Sequence, residues 1–206
     1  MNTAKKLVIA VIALSLALIC AVGGTLAFLV AESNSVVNTF TYGNITLTVT
    51  ETKGEQKVNV REFANVIPGS IVEKDPTVTV KGNSEDCYVY VMIIDGLNIP
   101  SGGRVSFNVN RNWEKINDHS EENHVYTLYK YKSKVEKSSD DQDLAKVFNE
   151  VEFDKSLNNE DLNALKQISY ATITIKAFAH QAQNTDEYNA DNAANEWFED
   201  QISYSA

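Results

Sequence analysis

The chain has 206 residues and a formal net charge of −10 at pH 7, with 28 acidic residues against 18 basic ones. Phosphate binding needs clustered Lys and Arg, so this balance argues against nucleic acid and anionic lipid as partners. The length suffices for one domain with a substantial core.

The N-terminal segment has the organisation of a secretory signal. Two lysines near the start precede the uncharged residues 7–31, and a small-residue exit, Gly-Gly-Thr-Leu-Ala, occupies residues 23–27. A basic head, an apolar stretch and a small-residue exit are the parts that such a signal needs. We therefore expect a signal peptide over residues 1–27, which a signal peptidase cleaves between Ala27 and Phe28.

An uncleaved membrane anchor is the alternative, because residues 7–31 exceed the roughly 20 apolar residues that span a bilayer. In both cases the basic head orients the remainder outward, so we expect a secreted or cell-surface protein that contacts the membrane only through an uncleaved signal segment.

The two cysteines indicate neither lipidation nor a disulfide. Cys20 follows the bulky Ile19, which argues against lipidation. After cleavage Cys87 is the one remaining cysteine, and its apolar neighbours indicate a buried hydrophobic residue. An exported protein without an internal disulfide is typical of a Gram-positive surface.

Period-two patterns predict strands in the first half of the body. Ile45, Leu47 and Val49 alternate with threonines, typical of a half-buried strand within residues 36–52. Residues 71–80 predict a second β segment, in which Pro76 favours an edge strand or a strand start. Residues 87–94 are almost all apolar or aromatic, which predicts a central strand buried on both faces.

Further strands are predicted over residues 105–109, 124–131 and 170–179. The last places a set of small and β-branched residues on one face: Ile173, Ile175, Ala177 and Ala179. Helical spacing predicts helices over residues 140–151, 158–168 and 185–198. These elements indicate a mainly β fold, a jelly roll or β-sandwich of antiparallel strands with a few flanking helices, as a single domain over residues 28–206 preceded by the signal helix.

The sequence contains no recognised catalytic or metal-binding motif. A zinc-protease helix, a nucleophile elbow and a phosphate-cradling loop are all missing from the sequence. His119 and His124 lie around residues 120–123, which leaves a loop metal site open, although solvated loop histidines are the simpler interpretation. His180 ends a predicted strand. We interpret two acidic clusters, residues 140–143 and 186–191, as helix starts, with weak calcium binding left open. We therefore predict no catalytic, cofactor or metal-binding residue.

Short motifs occur along the chain in a recognisable order. Residues 23–28 are Gly-Gly-Thr-Leu-Ala-Phe, and residues 38–44 are Asn-Thr-Phe-Thr-Tyr-Gly-Asn. Residues 68–70 and 74–78 form a turn and a following strand, then come the apolar residues 87–91, and near the end stand Ala-Phe-Ala-His-Gln-Ala at residues 177–182 and Trp197. In this order the motifs resemble the TasA/camelysin family of exported Gram-positive proteins, including the leaders that its dedicated signal peptidase handles.

The resemblance implies a jelly-roll subunit of extracellular fibres or biofilm matrix that assembles into a homopolymer by donor-strand exchange. The mature N-terminus of one subunit would complete the sheet of the next. The donor would be residues 28–37, with Phe28, Leu29, Val30, Ala31, Val36 and Val37 as its apolar members. Backbone hydrogen bonds would supply the affinity. Alternatively, the same residues fold back as the first strand of their own sheet.

Two other functions stay open. One is a monomeric cell-envelope adhesin or binding module that uses a variable loop and helix insertion over residues 100–165. Its aromatic residues, Trp113, Tyr126, Tyr129 and Tyr131, would either bind a partner or face a core. The other is a metalloprotease, as some members of the resembled family are described, but no zinc motif is present to carry that activity over.

Overall fold

The computed structural model describes residues 44–59, 66–97, 105–121, 124–158, 160–161 and 172–203. All of them lie in the second of two units into which the chain divides, Val37–Ala206. The predicted signal peptide, the cleavage site between Ala27 and Phe28, and the donor residues 28–37 therefore lie outside the described residues.

Strands dominate the described residues. They are β1 (Leu47–Lys53), β2 (Gln56–Val58), β3 (Ile71–Glu73), β4 (Thr77–Val80), β5 (Cys87–Asp95), β6 (Val105–Ser106), β7 (Trp113–Ser120), β8 (Val125–Tyr131), β9 (Gln142–Asp143), β10 (Glu150–Phe153) and β11 (Ile173–Gln181). Helix α1 follows over Glu187–Ser203.

These strands form three sheets, with the orders β2-β1-β4-β9, β3-β10-β6 and β11-β5-β8-β7. Every strand pairing is antiparallel. The longest register runs between β5 and β11, from Cys87 opposite Gln181 to Asp95 opposite Ile173. The prediction of a mainly β, sandwich-like fold of antiparallel strands is confirmed.

Strand β5 is buried on both faces, as its apolar sequence predicts. One face, Cys87, Val89, Val91 and Ile93, packs in a core with residues from the other two sheets, among them Leu47, Val78 and Val151. The opposite face, with Tyr90 and Met92, packs against Phe198 and Ile202 of α1. The sheet that contains β5 therefore lies between the other two sheets and the helix, a layered arrangement that buries an apolar set on each side.

The predicted helix over residues 140–151 is wrong. Its apolar residues, Leu144, Val147, Phe148 and Val151, are buried as the pattern requires, but they lie in and between β9 and β10. The backbone N–H of Leu144 donates to the carbonyl of Val78, and that of Val147 donates to the carbonyl of Pro76, both at 2.8 Å. The backbone N–H groups of this segment therefore form their hydrogen bonds along β4 instead of within a helix.

One predicted β segment needs correction, and one strand was not predicted. Residues 71–80 form two strands in different sheets, β3 and β4, and Pro76 precedes β4, as expected of a strand start. The patterns did not predict β7, because a bulge between Lys115 and Asn117 interrupts its alternation. Residues 100–165, expected to form an insertion of loops and helices, supply β6–β10 to all three sheets.

Helix α1 extends the predicted helix over residues 185–198 to Ser203. Asp186 caps its start, because Oδ1 of Asp186 accepts the backbone N–H of Asn189 at 2.9 Å. Of the helix predicted over residues 158–168, only the first residues are described, and there Asn158 Oδ1 accepts the N–H groups of Glu160 and Asp161. In the described part of the chain, no helix has the length and apolar character needed to cross a membrane.

Candidate functional site

The histidines near the β7–β8 connection surround a tyrosine. His119 lies in β7, not in a loop as predicted, and its ring centroid is 6.2 Å from that of Tyr126. The ring of His124 lies 6.0 Å from the same tyrosine, and His119 Nε2 is 3.6 Å from Glu121 Oε1. Among the residues that the structure describes, no group of three or more His, Cys, Asp or Glu could hold a metal ion.

The acidic residues 140–143 do not start a helix. The Asp141 carboxylate pairs with Lys81 and accepts the backbone N–H of Gly82 at 2.9 Å, and these bonds lower its pKa. Asp143 pairs with Lys57 at 2.7 Å and accepts the hydroxyl of Thr79. These ion pairs and hydrogen bonds connect β4 to the β9 segment, so the acidic cluster has a structural role.

Residues 186–191 begin α1, as predicted, and also attach it to the sheet. Lys130 on β8 contacts the carboxylates of Glu187 and Asp191, and Tyr90 donates its hydroxyl to Asp191 at 2.7 Å. The side chain of Lys130 is only 8% exposed. No sequence pattern predicts this cluster, because its members come from three elements far apart in the chain.

The remaining candidate side chains lie in the core. Burial raises the pKa of Cys87 to about 12, so its thiol stays protonated, and the sulfur behaves as part of the core. Trp113 is buried and donates its indole N–H to the carbonyl of Ala145 at 2.9 Å. Tyr129 and Tyr131 pack against the same core, while Tyr126 is buried on the opposite face of the sheet. Of the two interpretations of these aromatics, the core interpretation is confirmed.

Strand β11 is the end strand of its sheet among the described strands. Gly96 N–H donates to Thr172 O, and Ala182 N–H donates to Asp86 O, at 2.9 and 2.7 Å. Because antiparallel bonding alternates along a strand, the even-numbered residues of β11 direct their backbone groups toward β5. Ile173, Ile175 and Ala179 therefore direct theirs toward the opposite side.

The side chains of β11 follow the predicted face. Ala177 and Ala179 are buried in the core between the sheets, and Ile173 and Ile175 pack against it. His180 lies near the C-terminal end of β11, with Nδ1 3.0 Å from the carbonyl oxygen of Gln181. The edge of β11 thus combines a backbone direction suited to pairing with an apolar face turned to the core.

The opposite end strand, β7, is different. It carries the exposed residues Glu114, Lys115 and Asp118, with Lys115 Nζ 2.9 Å from Asp118 Oδ1, and it contains the bulge described above. Charges and bulges are the devices that keep an edge strand from pairing with another chain. Of the two end strands among the described residues, β7 therefore carries the features that discourage pairing with another chain.

The edge of β11 is the candidate functional site. A strand edge of this kind can bind an extended segment through backbone hydrogen bonds, with alternate side chains entering the core. Sequence patterns found β11 as a strand but could not identify it as an end strand, because that depends on how the sheet is ordered. No protein-family model, curated protein or solved structure matches this chain.

Proposed function

We propose that the chain is a secreted structural subunit of extracellular fibres or biofilm matrix, and that its N-terminal segment acts as a donor strand for a second copy. The observation that carries this proposal is the edge of β11. There the backbone groups of Ile173, Ile175 and Ala179 point away from β5, and their side chains face the core. An added strand would extend both the sheet and the core.

The proposed donor is similar in length to β11. Strands rise about 3.3 Å per residue, so the segment over residues 28–37 would span roughly 33 Å when extended. Strand β11 has 9 residues and is similarly long. Backbone pairing would supply affinity, and burial of Phe28, Leu29 and Val30 would add about 1.5–3 kcal/mol for each fully buried side chain.

The difference between β7 and β11 supports a linear polymer. Each subunit would give one donor strand and accept one at β11, while the charges and the bulge of β7 discourage pairing at the other end of the sheet. A contact that joins two different surfaces of identical subunits is heterologous, and it produces an open filament when it does not close into a ring. The expected product is therefore a fibre.

The test is electron microscopy of two purified versions of the protein, one beginning at Phe28 and one at Asn38, at matched concentrations. Filaments from the longer version alone are expected, because only that version carries the donor. If both versions stay monodisperse over a range of pH and salt, self-assembly is ruled out and a monomeric envelope binding module becomes the function to test. Filaments from the shorter version would show that residues 28–37 are not the donor.

Export and proteolysis have separate tests. N-terminal sequencing of protein collected from the culture medium should begin at Phe28 if the signal peptide is cleaved as proposed. Protease activity with stoichiometric zinc, lost on replacement of His119 or His124, would instead support a metalloprotease.

A further inference from the structure

A second strand edge, separate from β11, lies at β3. Among the described strands, β3 pairs only with β10. Lys74 N–H donates to Asn149 O at 3.0 Å and Phe153 N–H donates to Ser70 O at 2.9 Å, so residues 70, 72 and 74 direct their backbone groups toward β10. Ile71 and Glu73 therefore direct their N–H and C=O groups outward.

Two large apolar side chains are exposed beside this edge. Ile71 is 58% exposed and Ile67 is 64% exposed. The N–H and the hydroxyl of Ser70 both donate to the carbonyl of Ile67, at 3.1 and 2.7 Å, and these bonds close a turn that keeps Ile67 near the start of β3. Exposed isoleucines next to outward-pointing backbone groups are typical of an interaction surface.

Three carboxylates share the exposed face of this sheet. Glu73, Glu150 and Glu152 are exposed, and the register places Glu150 opposite Glu73 and Glu152 opposite Ile71. Within the described part of the chain, none of the three forms an ion pair. Like charges directly opposite each other destabilise a sheet. A cationic partner would remove that cost.

We infer that this surface, the β3 edge, is a docking site for an extended segment of a partner protein in which lysine or arginine alternates with apolar residues. The β3 edge consists of Ile67, Ile71, Glu73, Glu150 and Glu152. Backbone groups of Ile71 and Glu73 would pair with the segment. Its basic side chains would lie on the exposed face, where their charged ends contact the glutamates and their alkyl stems cover Ile71, and its apolar side chains would lie on the opposite face, beside Val72, which packs against the core.

Charge selects this occupant over a second copy of the chain. Two β3 edges facing each other would bring two sets of unpaired glutamates together, on molecules that each carry a net charge of −10. Like-charge juxtaposition across an interface disfavours the complex. The β3 edge is thus protected against self-pairing and open to a basic segment, whether or not the chain forms fibres.

Short synthetic peptides test the inference on the full chain. The first probe alternates lysine and valine, the second alternates glutamate and valine, and the third is the first with a methyl group on every backbone nitrogen. Fluorescence anisotropy would measure their affinities, and amide chemical shifts would locate the bound peptide. We expect binding of the first probe alone, with the largest shifts at Ile71 and Glu73, since methylation removes every backbone donor and leaves the lysine charges unchanged.

Two double variants with the same change in net charge distinguish the effect of the local glutamates on peptide affinity from the effect of the overall charge. The double variant Glu150→Lys with Glu152→Lys should weaken binding of the lysine–valine peptide by at least about tenfold, because it replaces two carboxylates that attract the peptide's lysines by two like charges that repel them. Glu196→Lys with Glu199→Lys changes the net charge equally on exposed positions of α1, and should leave the affinity within about twofold. Urea unfolding of both variants would show that the fold is intact.

Three results would overturn the inference. Equal weakening by both variants would mean that the peptide responds only to net charge. Equal binding of the N-methylated probe would mean that no strand pairing occurs. Concentration-dependent dimerisation that shifts the Ile71 and Glu73 amides without any peptide would mean that the occupant is a second copy.

Discussion

Lys130 Nζ lies 2.8 Å from Oδ1 of Asp191, and this ion pair connects β8 to helix α1. Burial acts to lower the pKa of Lys130, but hydrogen bonds to Asp191 and Glu187 outweigh burial and raise it. The lysine therefore remains charged beneath the helix. Its Nζ also lies 5.6 Å from the ring centroid of Tyr88, so a cation–π contact adds to the attachment.

Replacement of Lys130 should loosen α1. Lys130→Met removes the hydrogen bonds to Glu187 and Asp191, so the free energy of unfolding should fall by about 2–3 kcal/mol, typical of bonds that involve charged groups. Urea denaturation at pH 7 measures the change. The control is Lys134→Met, because Lys134 pairs with Asp86 at an exposed position, where ion pairs contribute little. Equal losses in both variants would contradict the role given to Lys130.

Strand β5 and helix α1 could be predicted because the local sequence pattern matches their burial. Residues 87–94 are apolar on both faces, which indicates a central strand. The helix buries every fourth residue, Ala190, Ala194, Phe198 and Ile202, as one face of a helix requires. For residues 140–151 the same helical spacing failed. Their burial is real, but tertiary hydrogen bonds to β4 override the local periodicity.

The candidate edges could be predicted only in part. The sequence indicates a strand that ends near His180 and identifies its core-facing residues, but it does not show which strands lie beside it. The same limit applies to β3, whose outward Ile71 and Glu73 become significant only once β10 is known to occupy the other side. The charged residues of β7 can be read from the sequence, but the strand itself was not predicted, because its bulge interrupts the alternating pattern.

Two of the aromatic residues of α1, Phe198 and Tyr188, should differ strongly in their effect on stability. Phe198 is fully buried against the sheet, whereas Tyr188 is 72% exposed. Phe198→Ala should lower the free energy of unfolding by about 3–5 kcal/mol, the usual cost of removing a buried phenylalanine. Tyr188→Ala should change it by less than about 0.5 kcal/mol. Urea denaturation compares them, and similar losses would mean that the helix packs through a different face.

The stability contribution of Asp75 should depend on pH. Burial acts to raise the pKa of Asp75, but the hydrogen bond from Thr52 N–H at 2.8 Å and the charge of Lys146 outweigh it, so its pKa lies below the ordinary value of 3.8. A carboxylate with a lowered pKa in the folded state stabilises the fold above the unfolded value, and that stabilisation disappears as the pH falls through the folded pKa.

Asp75→Asn isolates this contribution. At pH 7 the variant should be less stable than the parent by about 1 kcal/mol, because the amide can still accept the Thr52 N–H but does not attract Lys146. The difference should shrink as the pH falls below about 4, where the parent carboxylate becomes protonated. Urea denaturation of both proteins at pH 7, 4 and 3 measures it. A constant difference at all three pH values would exclude ionisation as the cause.

Replacement of Gly82 by alanine should destabilise the fold more than replacement of Gly54, although of these two glycines only Gly54 has a positive φ, +64°. A Cβ at Gly82 would lie 2.3 Å from the carbonyl oxygen of Ser139, and Asn83 N–H donates to Ser138 O at 2.7 Å, so neither backbone segment can move without losing a bond. Gly82→Ala should therefore lower the free energy of unfolding by about 3 kcal/mol.

Gly54→Ala meets no atom within 4 Å and adds only the strain of a left-handed alanine, about 1 kcal/mol. Urea denaturation of the two alanine variants compares contact with strain directly. The larger loss should come from Gly82, because overlap with a fixed carbonyl cannot be relieved by rotating a side chain. The reverse order would mean that the segment around Gly82 can move away from residues 138–140, and that the hydrogen bond from Asn83 does not hold the two together.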